Sequence, residues 1–252
     1  MGVRGGEKNS LQGGGEVKRE ARLGQEEERS SLGRSERSDK GSIKITERDL
    51  AILRFVGEQY AVRMDQLARL LKRPAEGSLS DSATRAVVAR WEKAGLTSSR
   101  KVIADEPRFV WLTRRGLAEV GLSFKPWEPT VASLAHIFWT NQVRMHTEDR
   151  HPESSWRSER ELRSGRPMQT ISTDANHAVD AEIELPQGTV AVEVELTSKS
   201  VERRRSIMAQ VSERYATVWY FAPANVHALL EQTAASVPQN ERIRIYALER
   251  VA

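Results

Sequence analysis

Cysteine is absent from the 252 residues. That excludes disulfides, zinc–thiolate sites, iron–sulfur clusters and thiol catalysis. No apolar run approaches the roughly 18 residues a membrane-spanning helix needs. The opening MGVRGGEKNS has no apolar stretch of the kind a signal peptide carries. A cytoplasmic protein with no membrane partner is expected. Gly6 stands where a myristoylation signal has Ser or Thr. The histidines, at 136, 146, 151, 177 and 227, form no HExxH or paired zinc spacing. No Gly-rich phosphate loop of P-loop or Rossmann type is present, so neither ATP nor NAD dependence is expected.

The net charge of +4 is mild, but its distribution is uneven. Residues 43–120 hold 15 basic against 10 acidic residues, a net +5. Residues 121–252 hold 15 against 17, a net −2. A basic block beside a mildly acidic one suggests that one part meets a polyanion and the other does something else. Residues 1–42 are rich in Gly, Ser, Glu and Arg, with a Glu26-Glu27-Glu28 run. They have too little apolar surface to offset chain entropy, and a disordered tail is expected.

From Ile45 the pattern changes. Thr46 is a good N-cap, with Asp49 three residues on. Leu50, Leu53, Phe55, Val56 and Tyr60 then recur at helical spacing. Met64, Leu67, Leu70 and Leu71 mark a second short helix, broken at Pro74 and Gly77. Ser80-Asp81 caps a third, which runs through Arg85 and Trp91 to Gly95, a residue suited to a left-handed helix end. Thr97–Ile103 and Arg108–Leu112 read as strands, and Thr113 caps a short helix ending at Gly121.

Three helices, a two-stranded hairpin and a closing helix resemble the winged helix-turn-helix of many bacterial DNA-binding domains. The matching residues are Trp91-Glu92-Lys93-Ala94-Gly95-Leu96 and Phe109-Val110-Trp111-Leu112-Thr113-Arg114-Arg115-Gly116. The resemblance implies double-stranded DNA as partner, with the third helix in the major groove. Ser82, Thr84, Arg85 and Arg90 lie on that helix, and Arg100, Lys101 and Arg108 flank the wing as phosphate contacts. The acidic wing tip, Asp105-Glu106, opposes deep insertion into a minor groove. Protein association is the other use of such a block. Trp91 and Trp111 are read as core rather than as stacking platforms.

Residues 123–130 (SFKPWEPT) read as a linker between a domain at 43–122 and one at 131–252. A long helix is expected over about 131–149. Strands are expected at Ser155–Leu162, His177–Leu185 and Val190–Leu196, the last two joined by a turn at Pro186-Gln187-Gly188. A helix about 200–215, a strand Thr217–Phe221, a helix about 225–235 and a strand Arg242–Leu248 complete the chain. On the third strand Val190, Val192, Val194 and Leu196 share one face, with Ala191, Glu193 and Glu195 opposite. Such a hairpin with one solvated face commonly carries acids without any function.

This order resembles the αβββαβ core of the PD-(D/E)xK nuclease fold, so the fold class expected is α/β (α+β), a winged helix followed by a restriction-endonuclease-like domain. The resemblance implies a catalytic set of Asp180, Glu193, Glu195 and Lys199, with Asp180 and Glu193 as ligands of Mg²⁺. Glu195 stands where the family has its Lys, and Lys199 follows four residues later. Both an active nuclease or nickase and an inactive binding core fit that departure. The whole arrangement resembles the replication-relaxation family of bacterial plasmids and integrative elements, through Ser133-Leu134-Ala135-His136 and Ala191-Val192-Glu193-Val194-Glu195-Leu196-Thr197-Ser198-Lys199-Ser200. It implies a role in replication, transfer or relaxation of a mobile element, with replication or transfer proteins and a second copy of the chain as further partners. His136, within the first of these stretches, is expected to face the sheet. The alternative is a winged-helix transcriptional regulator whose second domain dimerises or binds a partner.

Overall fold

In the computed structural model, which describes residues 43–73, 75, 77–164 and 177–251, Thr46 starts the first helix, α1 (Glu47–Glu58). The expected tail at 1–42 and the expected break at Pro74 lie outside the described residues. The Asp49 N–H donates to Thr46 Oγ1 at 3.2 Å, and Asp49 Oδ2 accepts the Thr46 N–H at 2.9 Å. Asp49 is also fully buried. Its Oδ1 accepts from Arg90 Nη2 at 2.6 Å and from Trp91 Nε1 at 3.1 Å. One carboxylate therefore caps α1 and ties a later helix to it.

Tyr60, in the left-handed region at φ 68°, turns the chain into a strand that the sequence reading missed, β1 (Ala61–Arg63). Three residues are too few to show a two-residue alternation. Helix α2 (Met64–Lys72) follows, then α3 (Asp81–Lys93), capped by Ser80 and closed by Gly95 at φ +71°. β2 (Thr97–Arg100) and β3 (Phe109–Leu112) are shorter than expected; the sheet order is β1-β3-β2, all antiparallel. Thr113 caps α4 (Arg114–Glu119), accepting from the Gly116 N–H and donating to the Gly95 carbonyl. Gly116 packs so closely that a Cβ there would sit 2.0 Å from the Leu96 carbonyl oxygen. Trp91 is wholly buried with Leu53, Leu67, Val88 and Leu96, and Trp111 packs with Phe109 and Ile137, so both tryptophans are core.

The 20-residue helix α5 (Val131–Arg150) touches both halves of the described unit. Its Leu134 and Ile137 pack on Ala61, Phe109 and Trp111, while Val143 packs on the second sheet. Buried amides fix its position. Asn141 Nδ2 donates to the Ala61 carbonyl at 2.9 Å, and Gln66 Nε2 donates to the Phe138 carbonyl at 2.8 Å.

The second sheet comprises β4 (Ser155–Ser158), β5 (Ala181–Leu185), β6 (Gly188–Val194), β7 (Thr217–Ala222) and β8 (Ile243–Ala247), in that spatial order. β4, β5 and β6 pair antiparallel; β6, β7 and β8 pair parallel. The strand expected through Leu162 stops at Ser158. There the Glu161 carboxylate accepts the Ser158 N–H at 2.9 Å and the chain turns into α6 (Glu159–Ser164). β5 begins four residues later than expected and β6 ends two earlier. The parallel connections carry α7 (Val201–Arg214) and α8 (Ala224–Ala234). These helices cover the face of Ala191, Val218 and Tyr220, while Val190, Val192, Val194 and Phe221 pack on the α5 side. Both faces of β6 are thus buried, as strands in parallel pairing usually are. The solvated acidic face expected of this hairpin is therefore missing at Glu193 on β6, while on β5 Glu184 is exposed and Glu182 half-buried. Among the described residues no helix is long and apolar enough to cross a membrane.

Candidate functional site

Asp180 directly precedes β5, and Glu193 is the penultimate residue of β6. The pairing of Ala181 with Val192 brings the two acids to one end of the hairpin. Asp180 Oδ2 accepts the Val194 N–H at 2.7 Å, so the β6 backbone itself fixes the aspartate. Glu193 is buried, 6 % exposed. Each acid has an imidazole: His136 Nε2 of α5 lies 3.0 Å from Asp180 Oδ1, and His177 Nε2 lies 2.8 Å from Glu193 Oε1. His136 faces the sheet, as its place on the linking helix suggested.

The electrostatics of the two pairs differ. Burial pushes Asp180 up, but the charge and hydrogen bond of His136, with the Val194 N–H, outweigh it and leave its carboxyl below the usual range. Burial also dominates at Glu193. The His177 hydrogen bond pulls it down, the negative Asp180 pushes it up, and the result is a carboxyl raised to about 7. Burial tends to lower His136, but Asp180 overcomes that and raises it to about 9. The hydrogen bond to Glu193 raises His177. Burial raises Glu159, at the start of α6, and the nearby Asp180 adds to the effect. Two acids pushed apart in acidity by their surroundings are a common feature of sites that handle protons or cations.

The other expected members lie close by. Glu195 follows β6 and forms an ion pair with Lys199, so the two residues offered as the catalytic remainder neutralise each other. The Lys199 charge still reaches Glu193 and helps to lower it. Tyr220 sits opposite Glu193 in the β6–β7 register. Its hydroxyl is buried with no hydrogen-bond partner among the described residues, and burial, with Glu193, Glu195 and Asp180, makes it much less acidic than an ordinary phenol. A buried donor without an acceptor beside a carboxylate cluster costs stability. A cleft of about 390 Å³ opens over Asp180 and His136, with Tyr60, Trp127, Ser158 and Glu159 on its walls. His177, Tyr220 and Glu159 were missed in the sequence. No spacing marks them, because only the sheet register and the folding back of α5 bring them together.

A hard divalent cation prefers carboxylate oxygens. Asp180 and Glu193 supply them, and the unpartnered Tyr220 hydroxyl lies beside them, so the donor chemistry fits Mg²⁺. Both acids are nonetheless engaged by imidazoles. Among the described residues no three His, Asp or Glu side chains converge as a ligand set.

The expected DNA contacts divide. Ser82 and Arg85 are exposed on α3; the Arg85 side chain is 72 % exposed and among the described residues reaches only Asp81, at 3.0 Å. Ala86 and Ala89 beside them are exposed and small, leaving that face of the helix low and open. Arg100, Lys101 and Arg108 are exposed around the β2–β3 connection, and Arg108 donates to Ser99 Oγ at 3.3 Å. Thr84 and Arg90 face elsewhere. Thr84 is buried and donates to the Ser80 carbonyl, and Arg90 is committed to the buried Asp49. Both are structural in this arrangement. At the start of α7, Arg204 is buried and donates to Thr233 Oγ1 at 2.6 Å, so it packs against α8 instead of lying in solvent.

No protein-family model, curated protein or solved structure matches this chain.

Proposed function

We propose that this chain is a DNA-binding protein of a bacterial plasmid or integrative element, acting in its replication, transfer or relaxation. In this reading residues 43–122 form a winged helix-turn-helix that grips duplex DNA through α3, and residues 131–252 form a restriction-endonuclease-like core. The succession of three helices and the β2–β3 hairpin supports the first half. The antiparallel β4-β5-β6 run continued by parallel β7 supports the second. The observation that carries the reading is the pair Asp180 and Glu193. Glu193 is buried on β6 and Asp180, half-buried, stands just before the adjacent β5; the Tyr220 hydroxyl, which has no partner among the described residues, lies against Glu193, and a cleft of about 390 Å³ opens over Asp180.

Asp180 and Glu193 would hold a divalent cation. Such an ion, when bound, polarises a phosphodiester and makes its bound water more acidic. The chain's own residues do the rest. His136 and His177 hold the two carboxylates in place, and Lys199 sits against Glu195 at the rim. The test is conversion of supercoiled plasmid to nicked circle with 5 to 10 mM Mg²⁺ or Mn²⁺, beside a mobility-shift titration over salt. Binding should weaken as salt rises, because phosphate contacts release counterions. Glu193→Gln should abolish nicking and leave binding intact.

A second reading has its own observation. Each carboxylate already has an imidazole, so His136 and His177 supply the positive charge that a cation would bring. On that reading the second half binds DNA or a partner without cutting. Calorimetry with Mg²⁺ or Mn²⁺ would then give no heat with DNA present, and no nicking would appear.

A further inference from the structure

At the far end of α5 from His136 lies a second cavity, of about 540 Å³. Its residues His146 and Arg150 come ten and fourteen positions after His136. At about 1.5 Å of rise per residue they stand roughly 15 to 20 Å along the helix from His136. The cavity is lined on one side by Arg150, Arg250, His146 and His151, and on the other by Trp219, Phe221 and Tyr246. Among the described residues no carboxylate lines it, and Glu153 stands 3.7 Å from the His151 ring. Trp219 and Tyr246 meet edge-on with centroids 5.9 Å apart, and Phe221 stacks on Tyr246 at 5.2 Å. The His151 ring lies 6.4 Å from Trp219. Both Trp219 and Tyr246 keep part of their surface open, so a planar ligand has ring area to lie against.

The charges point the same way. Among the described residues neither Arg150 nor Arg250 has a carboxylate partner, and Arg150 hydrogen-bonds the His146 ring. Burial lowers His146 most; the charge of Arg150 lowers it further, and that of Asp149 opposes them. An aromatic platform beside guanidinium groups that carry no carboxylate partner is the chemistry that takes a heterocyclic base and its phosphate together. The volume lies within the usual range for small-molecule sites.

We infer that this cavity binds a nucleotide, with the base against Trp219 and Tyr246 and the phosphate between Arg150 and Arg250. The inference does not depend on the winged-helix or nuclease-like readings. The same chemistry has two sources, a free mononucleotide or one nucleotide of a single strand.

The full chain is titrated by calorimetry with 5′-deoxyadenylate, deoxyadenosine, inorganic phosphate and a single-stranded oligodeoxyadenylate of eight nucleotides. Saturable binding is expected for the mononucleotide or the oligonucleotide, with the tighter of the two naming the source. Deoxyadenosine and inorganic phosphate should each bind about tenfold more weakly or worse, since each lacks half of the contacts. Arg150→Ala with Arg250→Ala should weaken nucleotide binding by about tenfold or more without changing duplex DNA binding. Trp219→Leu should do the same by removing the stack, with its melting curve checked against the parent. The arginine variants, exposed and far from the core, keep the test valid if Trp219→Leu fails to fold. The inference is overturned if neither nucleotide form saturates, if inorganic phosphate binds as tightly as the nucleotide, or if the double arginine variant binds unchanged.

Discussion

Replacing Glu193 by Gln should make the protein more stable at pH 8. Glu193 is buried, and burial with the neighbouring Asp180 raises its carboxyl from 4.5 to about 7. A folded-state value above the unfolded one means that the folded protein holds this proton more tightly. The resulting stability is fully present below pH 4.5 and is lost as pH rises through 7. The displacement corresponds to about 3 kcal/mol. Gln keeps an oxygen that accepts from His177 Nε2 but has no proton to lose. The variant should therefore match the parent within about 1 kcal/mol at pH 5 and exceed it by about 1–3 kcal/mol at pH 8. For a chain of this size that is a rise of roughly 2–10 °C in Tm. His136 adds a second loss in the same direction. Raised to about 9, it stabilises fully below pH 6.5 and stops doing so as pH passes 9. Its side chain is 41 % exposed, so solvent screens the effect to about 1 kcal/mol. The assay is thermal denaturation from pH 5 to 9 with EDTA, repeated with 10 mM Mg²⁺. With a Kd of about 1 mM the ion adds about 1.4 kcal/mol to the parent and nothing to the variant. A Gln variant less stable than the parent at pH 8 without metal would refute the reasoning, because it would mean that His177 holds Glu193 charged at a net gain.

Asp49→Ala should cost about 3–5 kcal/mol in urea denaturation, since it leaves Arg90, Trp91 Nε1 and the Thr46 N–H without their acceptor. Arg90→Ala should lower stability too, and a mobility shift should show duplex affinity unchanged once folding is matched. Gly116→Ala should lose several kcal/mol or fail to fold, because the new Cβ meets the Leu96 carbonyl backbone rather than a movable side chain; yield and Tm report it. Arg85→Ala should weaken duplex binding by about 1–3 kcal/mol while stability stays within about 0.5 kcal/mol, as befits a side chain 72 % exposed.

Helix ends were legible because their chemistry is local. Thr46, Ser80, Thr113 and Ser200 each accept a hydrogen bond from a backbone N–H three residues on, and Gly95 takes the left-handed turn that ends α3. Strand ends were less so. Past Ser158 the buried positions continue to alternate as Arg160 and Leu162, although the backbone is already helical. Arg160 is buried because its guanidinium reaches the Gly57 carbonyl at 2.7 Å and also bonds the Lys125 carbonyl. A two-residue pattern there reflects tertiary bonds, and nothing in the sequence separates that from a strand. Arg90 was misplaced for a related reason. Its partner Asp49 lies 41 residues away, and an arginine on a basic helix reads as a DNA contact until that carboxylate is seen beneath it.

The acids at the site were legible by resemblance, but their state was not. Alternation along Val190–Val194 suggests one wet face, and Glu193 belongs to it. That inference holds for a free hairpin. Here β6 is also paired in parallel with β7, and the connecting helix α7 covers the face the acid occupies. Parallel pairing requires such a crossover, so a single topological step turns an ordinary surface glutamate into a buried one raised to about 7. The same step sets Tyr220 against it, with a hydroxyl that finds no acceptor. Both features reduce stability, and a pair of apolar residues of equal size would remove the cost. Glu193 and Tyr220 are therefore the two positions where stability and this site pull in opposite directions, which is the pattern of a site kept for binding or chemistry. Tyr220→Phe separates the two. It should stabilise the protein by up to about 1–2 kcal/mol, since it removes an unsatisfied buried donor. It should also reduce nicking or metal affinity if the hydroxyl serves the site. A gain in stability with both activities unchanged would leave Tyr220 as a packing residue and Glu193 as the only costly group there.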